Sequence, residues 1–306
     1  MTWETEFVLL GLVKEKFISK NFGEAAQILL GQVLEVLERY SAQGYDLSLR
    51  QCYYQLVAAN IIENKEQSYK NLGSLISDAR LAGLIDWDMI DDRGRSVSTN
   101  PHWVNPRQFM ESVAPQFALD KWEDQLCYVE VMVEKQALEG VLEPVCSSLD
   151  IAFSSNKGYS SSSAMYKAGK RLRRAIRNEK ECHVIYLGDH DPSGIDMTRD
   201  IEDRLRMFAE DESIEIHRVA LNMDQIKKLK PPQNPAKMTD SRASDYVARY
   251  GRSSWELDAI EPRQLALLVT NEVYGLRDAD KWAAAVERED AMRAELVNLA
   301  KKSKFK

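Results

Sequence analysis

Apolar residues recur at helical spacing across residues 22–43, "FGEAAQILLGQVLEVLERYSAQ", and Gly44 stands where such a helix would stop. A new unit begins at Ser48. Ser48 followed by Gln51 matches a capping box, so a helix is predicted from Leu49 to about Asn60. After the polar "ENKEQ", a second helix is expected from about Gln67 to Ala82, burying Leu72, Leu75, Ile76 and Ala79, with Gly83 as its stop. "LIDWDMIDDRGRSVS" then alternates apolar and polar positions around "DRG", the pattern of a short hairpin. Helix, turn, helix and hairpin outline a winged helix.

From residue 98 the period is lost, and three prolines in "STNPHWVNPRQFMESVAPQ" read as a linker. Strand and helix patterns alternate beyond it: strand "QLCYVEVMV", helix "KQALEGVLEPVCSSL", strand "IAFSS", helix "SSAMYKAGKRLRRAIRNE", strand "CHVIYLG", helix "GIDMTRDIEDRLRMFAED", strand "IEIHRVAL". Crossover helices between strands imply a mainly parallel sheet with its ligand site at the strands' carboxyl ends. The tail from about Trp255 reads as helical. The expected fold class is thus α/β multidomain: an N-terminal helical segment (1–44), a winged-helix domain (45–97), a linker (98–118), a sheet domain with flanking helices (119–236) and a helical C-terminal region (237–306).

At 306 residues the chain can bury a core without staples, and its four cysteines (Cys52, Cys127, Cys146, Cys182) form no C-x-x-C pair. Reduced, mostly buried thiols are expected. No segment has the roughly 18 uninterrupted apolar residues of a membrane span, and "FVLLGLV" lacks the flanks of a secretory signal, so a cytoplasmic protein without membrane contact is expected. The net charge of −7 counts against nucleic-acid binding until its distribution is considered. Basic residues concentrate in "YKAGKRLRRAIRNEK" and the tail "KKSKFK".

Three acids stand at strand ends. Glu134 follows "YVEVMV", and Asp189 and Asp191 follow "HVIYLG", so all three should land on one rim of the sheet. Converging carboxylates repel one another unless a cation lies between them, and hard oxygen ligands with open positions suit Mg²⁺. The turn Pro192-Ser193-Gly194 opens a helix whose amino end favours phosphate. The plainer alternative is that Asp191 caps that helix.

"VEK" at 133–135 followed by "LGDHDPSG" at 187–194 resembles the Toprim domain of topoisomerases, primases and certain nucleases. The resemblance implies that Glu134, Asp189 and Asp191 bind catalytic magnesium. "RQCYY" on a winged helix ahead of that domain resembles the topoisomerase VI A subunit family, which includes the meiotic double-strand-break transesterase, and its reduced "mini-A" forms in particular. "WELDAIEP" is similar to that family's carboxyl-terminal region. One departure is Gln51, where the family usually carries an acid.

Helical phase separates the two tyrosines. Tyr53 shares a face with Leu49, Leu56 and Val57, whereas Tyr54 lies about 100° further round, in line with Arg50 and Ala58, and is expected to point outward. The family's nucleophile is the second tyrosine, which is Tyr54. A phenol with pKa of about 10 must lose its proton to attack a phosphodiester, and Arg50 and Mg²⁺ would supply positive charge to the non-bridging oxygens. The resemblance further implies a homodimer in which the tyrosine of one protomer faces the metal of the other, acting on double-stranded DNA. No G-x-x-x-x-G-K-[ST] loop is present, so any ATPase would be a separate subunit.

The helix near 162–179 carries Lys167, Lys170, Arg171, Arg174 and Arg177 opposite an apolar stripe, which suits phosphate-backbone contact. Lys70, with Ser74 and Ser77, faces away from the core on the second winged-helix helix. His190 is expected to turn away from the aspartates. The leading expectation is a Mg-dependent DNA transesterase. The alternatives are a Toprim nuclease that uses a metal-activated water, and a non-catalytic winged-helix DNA-binding protein.

Overall fold

The computed structural model describes residues 14–45, 47–90, 100–156 and 161–302. Three helices form the N-terminal unit: α1 (Glu24–Ser41), α2 (Leu49–Ala58) and α3 (Glu66–Leu81). They enclose a core built from Leu30, Val33, Leu37, Cys52, Leu56, Leu72, Ile76 and Ala79. The capping box at the start of α2 is formed: the Gln51 N–H donates to Ser48 Oγ (3.3 Å) and the Ser48 N–H donates to Gln51 Oε1 (2.8 Å). Gly44 and Gly83 follow α1 and α3 at positive φ (79° and 71°), a conformation that costs glycine little.

The predicted hairpin differs in its first half. Trp87–Met89 is a 3₁₀ turn capped by Asp86, and Ile90 forms a parallel bridge to Leu47. Asp86 accepts the Asp88 N–H and so favours a tight turn over an extended strand. The remainder of that stretch, residues 91–99, lies outside the described residues.

The expected linker contains a helix, α4 (Pro106–Val113), followed by a 3₁₀ turn at Ala114–Gln116. Its prolines start structure here. Asn105 accepts the Gln108 N–H, and Pro106 occupies the first turn, where its missing N–H costs nothing. α4 packs against the long C-terminal helix α11 (Ala279–Lys302).

The sheet domain is α/β. Four strands, β1 (Cys127–Val133), β2 (Ala152–Ser155), β3 (Glu181–Leu187) and β4 (Glu215–Ala220), pair in parallel in the order β2-β1-β3-β4. Alternation along the strands separates two cores. Val129, Val131, Val133, Ile185 and Leu187 face α5 (Glu139–Ser148) and α10 (Pro262–Leu276), while Met132, Val184 and Tyr186 face α6 (Ser162–Arg177) and α7 (Pro192–Ala209). Met165, Ala168, Leu172 and Ala175 of α6 are buried as its pattern predicts.

The C-terminal region is mostly helical, with an interruption that the sequence reading missed. After α8 (Met223–Leu229), β5 (Gln233–Pro235) pairs antiparallel with β6 (Ser253–Trp255) around α9 (Ala243–Tyr250). This ribbon straddles the boundary expected at 236/237. All four cysteines are free and buried. No helix among the described residues is long and apolar enough to cross a membrane.

α6 and α7 approach most closely at Gly169, where a Cβ would lie 2.4 Å from Phe208 Cβ and 3.1 Å from the Phe208 carbonyl carbon. Gly169→Ala should therefore destabilise the protein. An overpacking cost of about 1–3 kcal/mol opposes the gain of about 1 kcal/mol from better helix propensity, and chemical denaturation would show a lowered midpoint.

Candidate functional site

The ends of β1 and β3 bring two of the predicted acids together. The Glu134 N–H donates to Leu187 O (2.9 Å), and the Asp189 N–H donates to Glu134 Oε2 (2.8 Å). Gly188 makes that approach feasible, because a Cβ there would lie 2.6 Å from the Tyr186 hydroxyl and 2.9 Å from Glu134 Oε2. A Cβ on Gly194 would come within 2.3 Å of Asp189 O, so the Pro-Ser-Gly turn needs its glycine for the start of α7 to close on the rim. Asp191 fills the plainer of its two expected roles. It is the N-cap of α7, accepting from the Gly194 N–H (2.6 Å) and the Ser193 hydroxyl (2.9 Å).

A lysine stands among these acids. Lys135 Nζ lies 2.8 Å from Asp189 Oδ2 and 3.6 Å from Asp258 Oδ2, and it also pairs with Glu256. The Leu257 N–H donates to the other Asp189 oxygen (2.8 Å). Burial pushes the Asp189 carboxyl well above the usual range, with Lys135 opposing. Burial also raises Glu134, reinforced by Asp191 and opposed by the Asp189 N–H and Lys135. Desolvation works against the Lys135 ammonium, yet Asp189, Asp258 and Glu256 outweigh it and raise its pKa.

The same acids hold the tyrosine helix. Arg50 Nε donates to Asp258 (2.7 Å) and a terminal Arg50 nitrogen donates to Glu256 (2.8 Å), so α2 is tied to the rim of its own chain. Arg50 is thus committed to two carboxylates, where the sequence predicted a group open to phosphate. Beneath the rim, Arg218 donates to the carbonyls of Gly188 (3.2 Å), Asp189 (2.7 Å) and Gly194 (2.9 Å) and fixes the loop that carries the aspartates.

Tyr54 does not point outward. It is 4 % exposed and belongs to the N-terminal core with Tyr53, whose hydroxyl donates to Asn64 Oδ1 (3.0 Å). The helical phase of α2 is as predicted, but residues 51–57 are buried without a break. The 3₁₀ turn at Leu257–Ala259 covers the face that one layer of packing would leave open. Burial and the Glu256 charge raise the Tyr54 pKa, while Arg50, 5.5 Å from the ring centroid, and an Asn234 hydrogen bond oppose them.

The remaining predicted cations divide. Lys167, Lys170, Arg174 and Arg177 are exposed on α6. Arg171 is exposed too, with 45 % of its side chain accessible, but its guanidinium reaches the sheet, where Glu130 accepts two hydrogen bonds from it (2.7 and 2.9 Å). Glu130 is 1 % exposed and needs that partner. Lys70 pairs with Glu66 one turn back (2.7 Å). His190 packs on Tyr246, Tyr250 and Trp255, with Nδ1 2.8 Å from the Tyr246 hydroxyl, and burial pushes its pKa down to about 4.

Among the described residues, Glu134, Asp189 and Asp191 do not bring three ligand atoms within coordination distance of one another, so at most one or two of these carboxylates, the number Mg²⁺ needs alongside a phosphate, could meet one ion in this arrangement. Glu134 and Asp191 repel each other electrostatically, and the Tyr186 hydroxyl beside Glu134 is buried without a hydrogen-bond partner. Asp189 is shared with Lys135. Sequence reasoning missed Lys135, Arg218, Glu256 and Asp258. Lys135 was in plain view beside Glu134, and Glu256 and Asp258 lie in "WELDAIEP", where two acids interrupt an apolar run. No protein-family model, no curated protein and no solved structure matches this chain.

Lys135→Met should destabilise the protein by about 3–5 kcal/mol, the cost of stranding buried carboxylates. Adding Asp189→Asn should return part of it, which a double-mutant cycle in denaturant measures. Burial pushes the Glu256 carboxyl up, but Lys135 and Arg50 outweigh it and hold it below the usual range. Its contribution is therefore complete above the unfolded value of about 4.3 and is lost as pH falls through the lower folded value. Glu256→Gln should cost about 2 kcal/mol at neutral pH, and that deficit should shrink in unfolding curves recorded below about pH 4.

Proposed function

We propose that this protein is a Mg²⁺-dependent DNA-cleaving transesterase of the topoisomerase VI A type, with α2 and α3 in a winged-helix role and the parallel sheet in the Toprim role. The observation that carries the reading is the ion network joining Arg50, one turn before Tyr54, to Glu256 and Asp258, and through Lys135 to Asp189 at the acidic rim. The tyrosine helix and the carboxylate rim, far apart in sequence, are neighbours in one chain.

Tyr54 is the proposed nucleophile, and its phenolic oxygen would form a phosphotyrosyl ester as the DNA sugar oxygen departs. Glu134, Asp189 and Asp191 are the proposed Mg²⁺ ligands. The ion, when bound, supplies positive charge beside the scissile phosphate. Arg50 is placed to supply the same charge once it exchanges a carboxylate for a phosphate, since its guanidinium matches either partner. A cleft of about 430 Å³ runs beside this junction between α2, α3 and Gln136. The exposed Lys167, Lys170, Arg174 and Arg177 of α6 and Lys70 of α3 are the proposed contacts to the DNA backbone. With Tyr54 enclosed, this reading requires α2 to lift from the rim before attack. Cutting both strands of a duplex takes two such sites, which a homodimer would provide with the tyrosine of one protomer facing the metal of the other, and ATP-driven strand passage would fall to a separate subunit.

The burial of Tyr54 favours a second reading, in which the same rim activates water and the tyrosine is structural. Denaturing the protein on end-labelled duplex DNA separates the two. The transesterase leaves protein attached to a strand end, and this adduct should vanish in Tyr54→Phe and on chelation of Mg²⁺. Unattached ends, cut equally well by Tyr54→Phe, would establish the nuclease instead.

A further inference from the structure

At the opposite end of the sheet from the acidic rim lies a group of metal-ligating side chains with no part in the proposed cleavage. His183 at the start of β3 is paired with Glu215 at the start of β4, and His217 follows two residues later on the same face. His183 and Asp189 are six residues apart along β3, about 20 Å at about 3.3 Å per residue. His183 Nδ1 lies 3.0 Å from His217 Nε2 and 3.5 Å from Glu215 Oε2, and His217 Nε2 lies 3.3 Å from Glu215 Oε2.

The 3.3 and 3.5 Å separations are close to the edge of a coordination tetrahedron, and the 3.0 Å contact is a hydrogen bond between the two imidazoles that a bound ion would replace. A zinc ion at about 2.0–2.1 Å from nitrogen and oxygen ligands sets neighbouring ligand atoms about 3.3–3.4 Å apart. The other nitrogen of His217, Nδ1, is 2.9 Å from Glu272 Oε1 on α10. A carboxylate in that place holds the Nδ1 proton and turns the Nε2 lone pair toward the other two ligands, the outer-shell arrangement that zinc-binding histidines use. Three atoms with ligand chemistry thus converge, and a fourth residue orients one of them.

We propose that His183, His217 and Glu215 bind a divalent transition metal of the Zn²⁺ class, with Glu272 as the positioning residue and water in the fourth place. His183 is nearly buried and Glu215 is 64 % exposed, so the site has a closed side against α10 and an open side toward solvent. Imidazole and carboxylate donors of this kind select zinc over Mg²⁺, which takes an octahedral set of oxygens. Cys127 and Glu181 also lie within reach of His183. An ion there joins β3 to β4 and, through Glu272, draws α10 onto the sheet.

Calorimetric titration of the tag-free full chain with Zn²⁺ at about neutral pH tests the site. One equivalent should bind and raise the unfolding temperature, with no competition from excess Mg²⁺. Glu215→Gln, on a side chain 64 % exposed, and His217→Gln should both remove the binding. Glu272→Gln should weaken it about 10–100-fold. Glu134→Gln, at the far rim, should leave it unchanged, so the result is independent of the cleavage reading. Absence of a bound equivalent, or binding that survives Glu215→Gln and His217→Gln alike, would overturn the assignment.

Discussion

The arrangement depends on one buried ammonium. Lys135 holds Asp189 from β3 and Glu256 and Asp258 from the segment before α10, and those last two acids in turn hold Arg50 of α2. Three acids and two bases in succession would be costly to desolvate singly. Together they neutralise one another, and each partner's geometry is fixed by the next. The network ties α2 of the N-terminal unit to the carboxyl-end rim of the sheet.

The network also governs the chemistry available at the rim. An uncompensated cluster of carboxylates either takes a cation from solution or takes protons, and Lys135 offers a third solution that comes with the fold. Asp189 is thereby already paired, while Glu134 accepts the Asp189 N–H and Asp191 caps α7. Arg218, which gathers the carbonyls of Gly188, Asp189 and Gly194, keeps the loop in place whichever cation is present.

Much of the fold was legible because local signals coincided with tertiary ones. The capping box at Ser48 and Gln51, the strand-helix alternation from Cys127 to Ala220 and the apolar stripe of α6 all depend on neighbours within a few turns. Failures occurred where a second layer of packing intervened. Tyr54 lies where the phase of α2 puts it, but a turn from some two hundred residues later covers that face, and no local period encodes such a partner. Arg171 has the spacing of a surface cation, yet Glu130 recruits it, a consequence of one acid in an otherwise apolar strand. The prolines around Asn105 and Pro106 have the composition of a linker, yet that pair in that order starts a helix. At the candidate site, Glu134 and Asp189 were legible from strand ends, whereas Glu256, Asp258 and the Lys135 ammonium that joins them to Asp189 were not.

Ala259, next to the Arg50-binding acids, completes the core of the N-terminal helices. Those helices therefore emerge from the ribosome long before the residue that closes them. At synthesis rates of about 5–20 residues per second, the first hundred residues wait on the order of ten seconds for their last neighbour. Their uncovered face during that interval, rather than the finished molecule, is where a chaperone would find its target.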